Sequence, residues 1–229
     1  MMTLRIVFFD IDGTLLATGG AGQTAMERAL VEEFRLELPF EGVRTGGRTD
    51  SGIMTEIFDR HGIPHSDEQR QRFRTAYLDR LPECLDALPG TLLPGVSDLL
   101  DRLSQSDNVV LSLLTGNYTE SAWAKLRHFG LDERFEFGGF GDFHIDRNLV
   151  AGDAKAAAES ALGLSIAGDQ CCVVGDTPAD IECARSIGAD SVAVATGVYN
   201  HQELQAHTPD YLFATFSDVS AAARAIVPV

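Results

Sequence analysis

Short apolar runs alternating with amphipathic stretches restrict what this chain of 229 residues can fold into. The runs fall at 4–9, 109–114, 135–140, 171–174, 191–195 and 211–213, and each reads as a strand. Between them lie helical patterns near 95–105, 120–129, 154–163, 178–187 and 217–226. Gly95, Thr119 and Pro178 stand where such helices start, and Gly130, Gly163 and Gly188 where they stop. This alternation points to an α/β architecture with a mainly parallel sheet.

Residues 16–90 break the rhythm. They hold three helical patterns, near 20–36, 50–61 and 66–84, and no convincing strand. In the second, Ile53, Ile57 and His61 recur at spacing four with Met54 and Phe58 beside them, which makes one apolar face for packing against neighbouring helices. The expected organisation is therefore a Rossmann-like core, 1–15 and 91–229, with an all-helical cap domain, 16–90, inserted after the first strand. Leu92-Leu93-Pro94-Gly95 would be the return hinge.

Composition narrows the function. With 45% apolar and 23% charged residues the chain can build an ordinary globular core. A net charge of −16 repels polyanions and argues against nucleic-acid binding. It does not forbid a small phosphate ester, because a metal ion and two basic side chains can reverse the field locally. No apolar run is long enough to span a bilayer, and no signal-peptide pattern opens the chain, so the expectation is a cytoplasmic protein without a membrane partner. Cys84, Cys171, Cys172 and Cys183 form no Cys-x-x-Cys pair. Adjacent Cys171 and Cys172 would point to opposite faces of a strand, so all four read as buried thiols. The six histidines form no ligand-spaced cluster. No interface stripe stands out, which leaves monomer or homodimer open.

Three signals sit where strands end, the place at which open parallel sheets bind ligands. The first is Asp10-Ile11-Asp12-Gly13-Thr14. Two carboxylates at this spacing can divide attack and proton transfer between them, and Gly13 lets the chain turn away sharply. A calcium loop would need further ligands at alternate positions and a closing Glu, and Thr14 and Ala21 stand there instead. The second is Thr115-Gly116-Asn117, whose hydroxyl and backbone amides suit a phosphate oxygen, although the same tripeptide makes a good turn. The third is Gly175-Asp176-Thr177-Pro178-Ala179-Asp180, with acids placed to offer hard oxygen ligands to magnesium. Asp180 could equally cap its own helix.

In order and type these motifs resemble the haloacid-dehalogenase superfamily, over the chain from 4 to about 195. The resemblance implies that Asp10 is a nucleophile forming an aspartyl-phosphate and Asp12 the general acid/base. It further implies that Mg2+ is held by Asp10, by the backbone carbonyl of Asp12 and by Asp176, with Asp180 a second ligand or an orienting residue. An acid at Asp12 favours phosphate esters over the halide-displacing and carbon–phosphorus-cleaving branches. The superfamily's basic residue has two candidates, Arg147 and Lys155. Arg147 is preferred because it would precede a helix beginning near Asp153, and a guanidinium suits a phosphoryl group.

The helical cap resembles those of phosphoglycolate phosphatases and β-phosphoglucomutases. Gly46-Gly47-Arg48 could lower Arg48 over the site to bind a second anionic group, or Arg48 could pair with a nearby acid and only brace the cap. The expected protein is a Mg2+-dependent phosphatase acting on a small phosphorylated metabolite, with Gly47, Arg48, Gly116 and Asn117 touching substrate. A sugar-phosphate mutase shares the same motifs, and a catalytically silent binder is the reading from another class.

Overall fold

A computed structural model describes residues 4–228. Six strands form one parallel sheet: β1 (Arg5–Phe9), β4 (Val109–Leu114), β5 (Gly138–Gly139), β6 (Cys171–Gly175), β7 (Asp190–Val194) and β8 (Tyr211–Phe213), in the order β5-β4-β1-β6-β7-β8. Strands β2 (Leu16–Ala17) and β3 (Thr91–Leu92) make a separate antiparallel ribbon. The chain progresses from β1 outward to β5 and then returns to place β6 on the other side of β1. The strand order therefore reverses between β1 and β6, and a crevice opens at their carboxyl ends.

Alternation along the strands divides the apolar side chains between two faces. Val7, Phe9, Cys172 and Val174 pack on helices α4 (Val96–Ser104), α5 (Thr119–His128) and α9 (Val219–Ile226). Ile6, Phe8, Cys171 and Val173 pack on α6 (Arg147–Leu162) and α7 (Pro178–Ser186). Cys171 and Cys172 thus lie on opposite faces, and all four cysteines are buried and free. A short helix, α8 (His201–Ala206), adds Leu204 beside Ile181 and Ala193. The α/β reading holds.

Between β2 and β3 the chain forms three helices, α1 (Ala21–Phe34), α2 (Asp50–His61) and α3 (Asp67–Ala87). Thr49 and Ser66 cap the second and third by accepting hydrogen bonds from the amides of Gly52 and Gln69 at 3.0 and 3.3 Å. Their apolar faces share a cluster of their own, joined from the sheet side by Tyr118. No helix among the described residues is long and apolar enough to cross a membrane.

Two elements differ from expectation. The strand read at 135–140 shrinks to Gly138–Gly139, because the chain there lies close against its neighbours. A Cβ on Gly139 would sit 2.4 Å from the Val150 carbonyl oxygen. Helix α6 begins at Arg147, where Asp146 caps the amide of Asn148 at 2.9 Å, rather than near 154. Gly152, which reads as a loop residue, lies inside that helix with open space beside it.

Phe58 is fully buried in the helical insert, its ring 5.5 Å from that of Phe34 and 6.2 Å from that of Phe73. Phe58→Ala should cost about 3–5 kcal/mol of the insert's stability, read by chemical denaturation. A loss under about 1 kcal/mol would mean that this cluster does not hold the insert together.

Candidate active site

Strand β1 stops at Phe9, so Asp10 is the first residue beyond the sheet, and its amide donates to Val174 of β6 at 2.9 Å. Gly13 then turns the chain at φ 85°, a conformation open to glycine. Space makes the same demand, since a Cβ there would meet Asp176 Oδ2 at 2.5 Å. Asp176 follows β6 directly, and Thr14 Oγ1 donates to its Oδ1 at 3.2 Å. Gly197 faces the same carboxylate so closely that a Cβ would overlap it at 1.6 Å. Two backbones without side chains therefore cradle Asp176.

Arg147 enters from the first turn of α6 and is itself buried. Its Nη2 donates to Asp10 Oδ1 at 3.1 Å and to Asp180 Oδ1 at 2.6 Å. The other oxygen of Asp180 accepts from the amide and the hydroxyl of Thr177 at 3.0 and 2.7 Å. Asp180 thus caps its own helix and orients Arg147 at once. Lys155 lies about two turns further along α6 and pairs with Glu159 at 2.9 Å, away from these groups. That corrects the placing of Lys155 among the catalytic candidates. The reason is the early start of α6, which puts Arg147 at the helix tip and turns Lys155 outward.

Asp10, Asp176 and Asp180 bring oxygens within 4.8 Å of one another, all buried. Burial raises Asp10 from its ordinary 3.8 to about 7; Arg147 opposes this, while Asp180 and Asp12 add to it. Asp176 is pushed well above the carboxylate range, first by burial and then by Asp10 and Asp180. One guanidinium does not balance three carboxylates here. Hard oxygen donors in excess of charge fit a divalent cation, with Asp10 and Asp176 free to hold it and Asp180 already engaged.

The far wall comes from β4 and α5. Thr115 is fully buried, and its hydroxyl accepts from Asn117 Nδ2 at 2.7 Å. Asn117 Nδ2 also donates to Asp12 Oδ2 at 2.8 Å. Lys125, from the buried side of α5, donates to Asp12 Oδ2 and to Asn117 Oδ1, each at 2.6 Å. Lys125 belongs to none of the three strand-end motifs. A signal existed: the chain has only two lysines against sixteen arginines, and this one falls on the same helical face as Ser121 and Ala122.

The helical insert closes the top. The amide of Asp50 donates to the Gly116 carbonyl at 2.7 Å, and its carboxylate accepts from the Tyr118 amide at 2.8 Å. Burial raises Asp50 to about 6 against the pull of Lys125. Gly116 has no room for a side chain, because a Cβ would stand 2.0 Å from the Arg48 carbonyl oxygen. Gly47 lies over Thr177 and Ala179. Arg48 lines the cleft, but its guanidinium is committed to the Glu56 carboxylate and to the Gly52 carbonyl, the latter at 2.9 Å. The bracing alternative describes Arg48, with Glu56 as partner. The cleft, open to solvent on one side, has a volume of about 300 Å³ and is lined by Asp10, Asp12, Thr115, Lys125, Arg147 and Asp176 among others.

Acids at the ends of β1 and β6, with a buried guanidinium between them and a helical insert above, mark a strand-end site in an α/β fold. The chain belongs to the haloacid dehalogenase-like hydrolase family, whose model matches residues 4–188. It is 27% identical to the probable phosphatase IndB of Dickeya dadantii, over 97% of this chain and 94% of that protein. It is 29% identical to a phosphoglycolate phosphatase of Synechococcus elongatus, over 94% of this chain and 95% of that one. In fold it is similar to the crystal structure of a predicted phosphoglycolate phosphatase from Haemophilus somnus, with a TM-score of 0.70 at 21% identity, covering 97% and 99% of the two chains.

The raised Asp10 carboxyl gives a signed expectation for the metal-free protein. Asp10 keeps its proton to higher pH when folded, so its contribution to stability is present below about 4 and lost as pH rises through about 7. A divalent cation relieves that loss. With magnesium as the probe, the rise in Tm should be larger at about pH 8 than at about pH 5.5, and Asp10→Asn should remove most of it. Equal shifts at both pH values would argue against a cation held by these carboxylates.

Proposed function

We propose that this protein is a magnesium-dependent phosphatase that hydrolyses a small phosphate ester through an aspartyl-phosphate on Asp10. The observation that carries the reading is the pairing of Asp10 with buried Arg147 at 3.1 Å, beside Asp176 and two residues before Asp12. When bound between Asp10 and Asp176, magnesium would neutralise phosphoryl charge. Arg147 holds Asp10 in place and offers a fixed positive charge to the phosphoryl group. Thr115 and the backbone at Gly116 receive its oxygens.

In the first half, an Asp10 oxygen forms a bond to phosphorus and the ester P–O bond breaks. The proton on Asp12 goes to the departing oxygen, which leaves as the alcohol. In the second half, a water oxygen attacks phosphorus, its proton returns to Asp12, and the bond from Asp10 breaks to release phosphate. The insert, resting on Gly116 and Tyr118 through Asp50, excludes bulk water while these bonds exchange.

A phosphoglycolate-like substrate is compatible with the cleft's volume and with the names carried by the relatives. Its carboxylate would have to compete with Glu56 for Arg48. Glu56→Gln should therefore lower KM for phosphoglycolate relative to glycerol 3-phosphate. An unchanged ratio would remove Arg48 from substrate recognition.

The test of the function is phosphate release from a panel of small esters, with and without magnesium. Release should depend on the metal and vanish in Asp10→Asn, while Asp12→Asn should lose roughly 100- to 10,000-fold. Full turnover in either variant would refute the assigned roles. A requirement for a sugar bisphosphate activator would identify a mutase instead.

A further inference from the structure

Beyond the residues that touch phosphorus, the cleft holds an ammonium group to which none of the three strand-end motifs assigns work. Lys125 projects from α5 with its side chain only 5% exposed, whereas the side chain of Asp12 is 40% exposed. Its Nζ lies 2.6 Å from Asp12 Oδ2 and 2.6 Å from Asn117 Oδ1. Asn117 Nδ2 closes the triangle by donating to the same Asp12 oxygen at 2.8 Å, and it is anchored in turn on Thr115 Oγ1 at 2.7 Å. Both donors converge on Oδ2. Oδ1 accepts no hydrogen bond from the described residues.

We infer that Lys125 is a positioning residue for Asp12, which with Asn117 pins Oδ2 so that Oδ1 alone carries the transferred proton toward the leaving oxygen. The inference rests on the phosphatase reading above. Three observations favour it over a purely structural ion pair. An ammonium and an amide can only donate through these atoms, so Oδ2 accepts twice while Oδ1 is left open to hold the proton. Asp12 precedes the sharp turn at Gly13, at the edge of the cleft, and without its two donors the side chain would be free to rotate through its staggered wells. Finally, Gly22 of α1 stands beside the Lys125 ammonium, close enough that a Cβ there would meet Nζ at 3.3 Å. The seated insert thus forms one wall of the place from which the ammonium reaches Asp12.

A residue that acts through a general acid has a signature that loss of structure does not share. A nitrophenolate departs without a proton, whereas a benzyl alkoxide needs one. In addition, kcat/KM covers only the steps up to release of the alcohol. The experiment compares kcat/KM for benzyl phosphate and p-nitrophenyl phosphate, two esters of similar shape, in the wild type, Lys125→Met, Asp12→Asn and the double variant. Lys125→Met should lose on the order of 100-fold with benzyl phosphate and less than about threefold with p-nitrophenyl phosphate. In the Asp12→Asn background the same change should cost little, because both substitutions remove one function. Lys125→Arg, which keeps charge and donors, should recover part of the benzyl activity. Lys125→Gln serves as the uncharged variant if the methionine one does not fold. Equal losses with the two esters, or losses that multiply in the double variant, would overturn the role. A wild type that releases phosphate from neither these two nor any ester of the small-ester panel, magnesium present, would overturn the phosphatase reading itself, and this role with it.

Discussion

The buried ion cluster of Asp10, Arg147 and Asp180 is the interaction on which the rest of the site depends. It joins the end of β1 to the first turn of α6 and the first turn of α7, three places far apart in the chain. Burying charge is costly unless each ion finds its partners, and removing one partner from such a set costs about 3–5 kcal/mol. The arrangement satisfies Asp180 completely, through Arg147 and the Thr177 cap, and leaves Asp10 and Asp176 with charge in excess. The same imbalance that raises these carboxyl groups would favour a metal and, once it is bound, an incoming phosphoryl dianion.

The second constraint is close approach of backbone to backbone. Gly116 lies against the Arg48 carbonyl, and a Cβ on Gly141 would stand 2.0 Å from the Gly116 carbonyl oxygen. The insert can therefore settle on the β4 loop only where side chains are missing. Once seated, it donates from the Asp50 amide to Gly116 and receives the Tyr118 amide on the Asp50 carboxylate. Arg74 adds ion pairs to Glu120 and Asp142. These contacts border a small cleft at the reversal point between β1 and β6, where the sheet's topology already directs ligands.

Much of this was legible before any coordinates. Strands 109–114 and 211–213 and the helix beginning at Pro178 were readable to the residue, because short apolar runs and a proline at a helix start are local signals. Asp10, Asp12 and Asp176 were readable as site candidates because they directly follow such strands. What escaped was anything decided by a partner distant in sequence. Lys125 sits on an ordinary amphipathic helix, and its importance lies in an oxygen 113 residues away. Both roles stayed open for Arg48 because nothing local reveals that Glu56, two helical turns on, would claim it. Lys155 stayed a second candidate behind Arg147 because the start of α6 hides behind a glycine that helices tolerate when nothing crowds it.

By itself, the sequence determined the alternation of strands and helices, the insertion of a helical unit after the first strand, and the placing of acids at strand ends. Each of these follows from periodicity and turn chemistry, which act over a few residues. Tertiary structure alone decided which cation faces which acid: Arg147 to Asp10, Lys125 to Asp12, Arg48 to Glu56. Charge pairing depends on distances of a few ångströms between side chains that the chain brings together only when the sheet has formed and the insert has seated upon it.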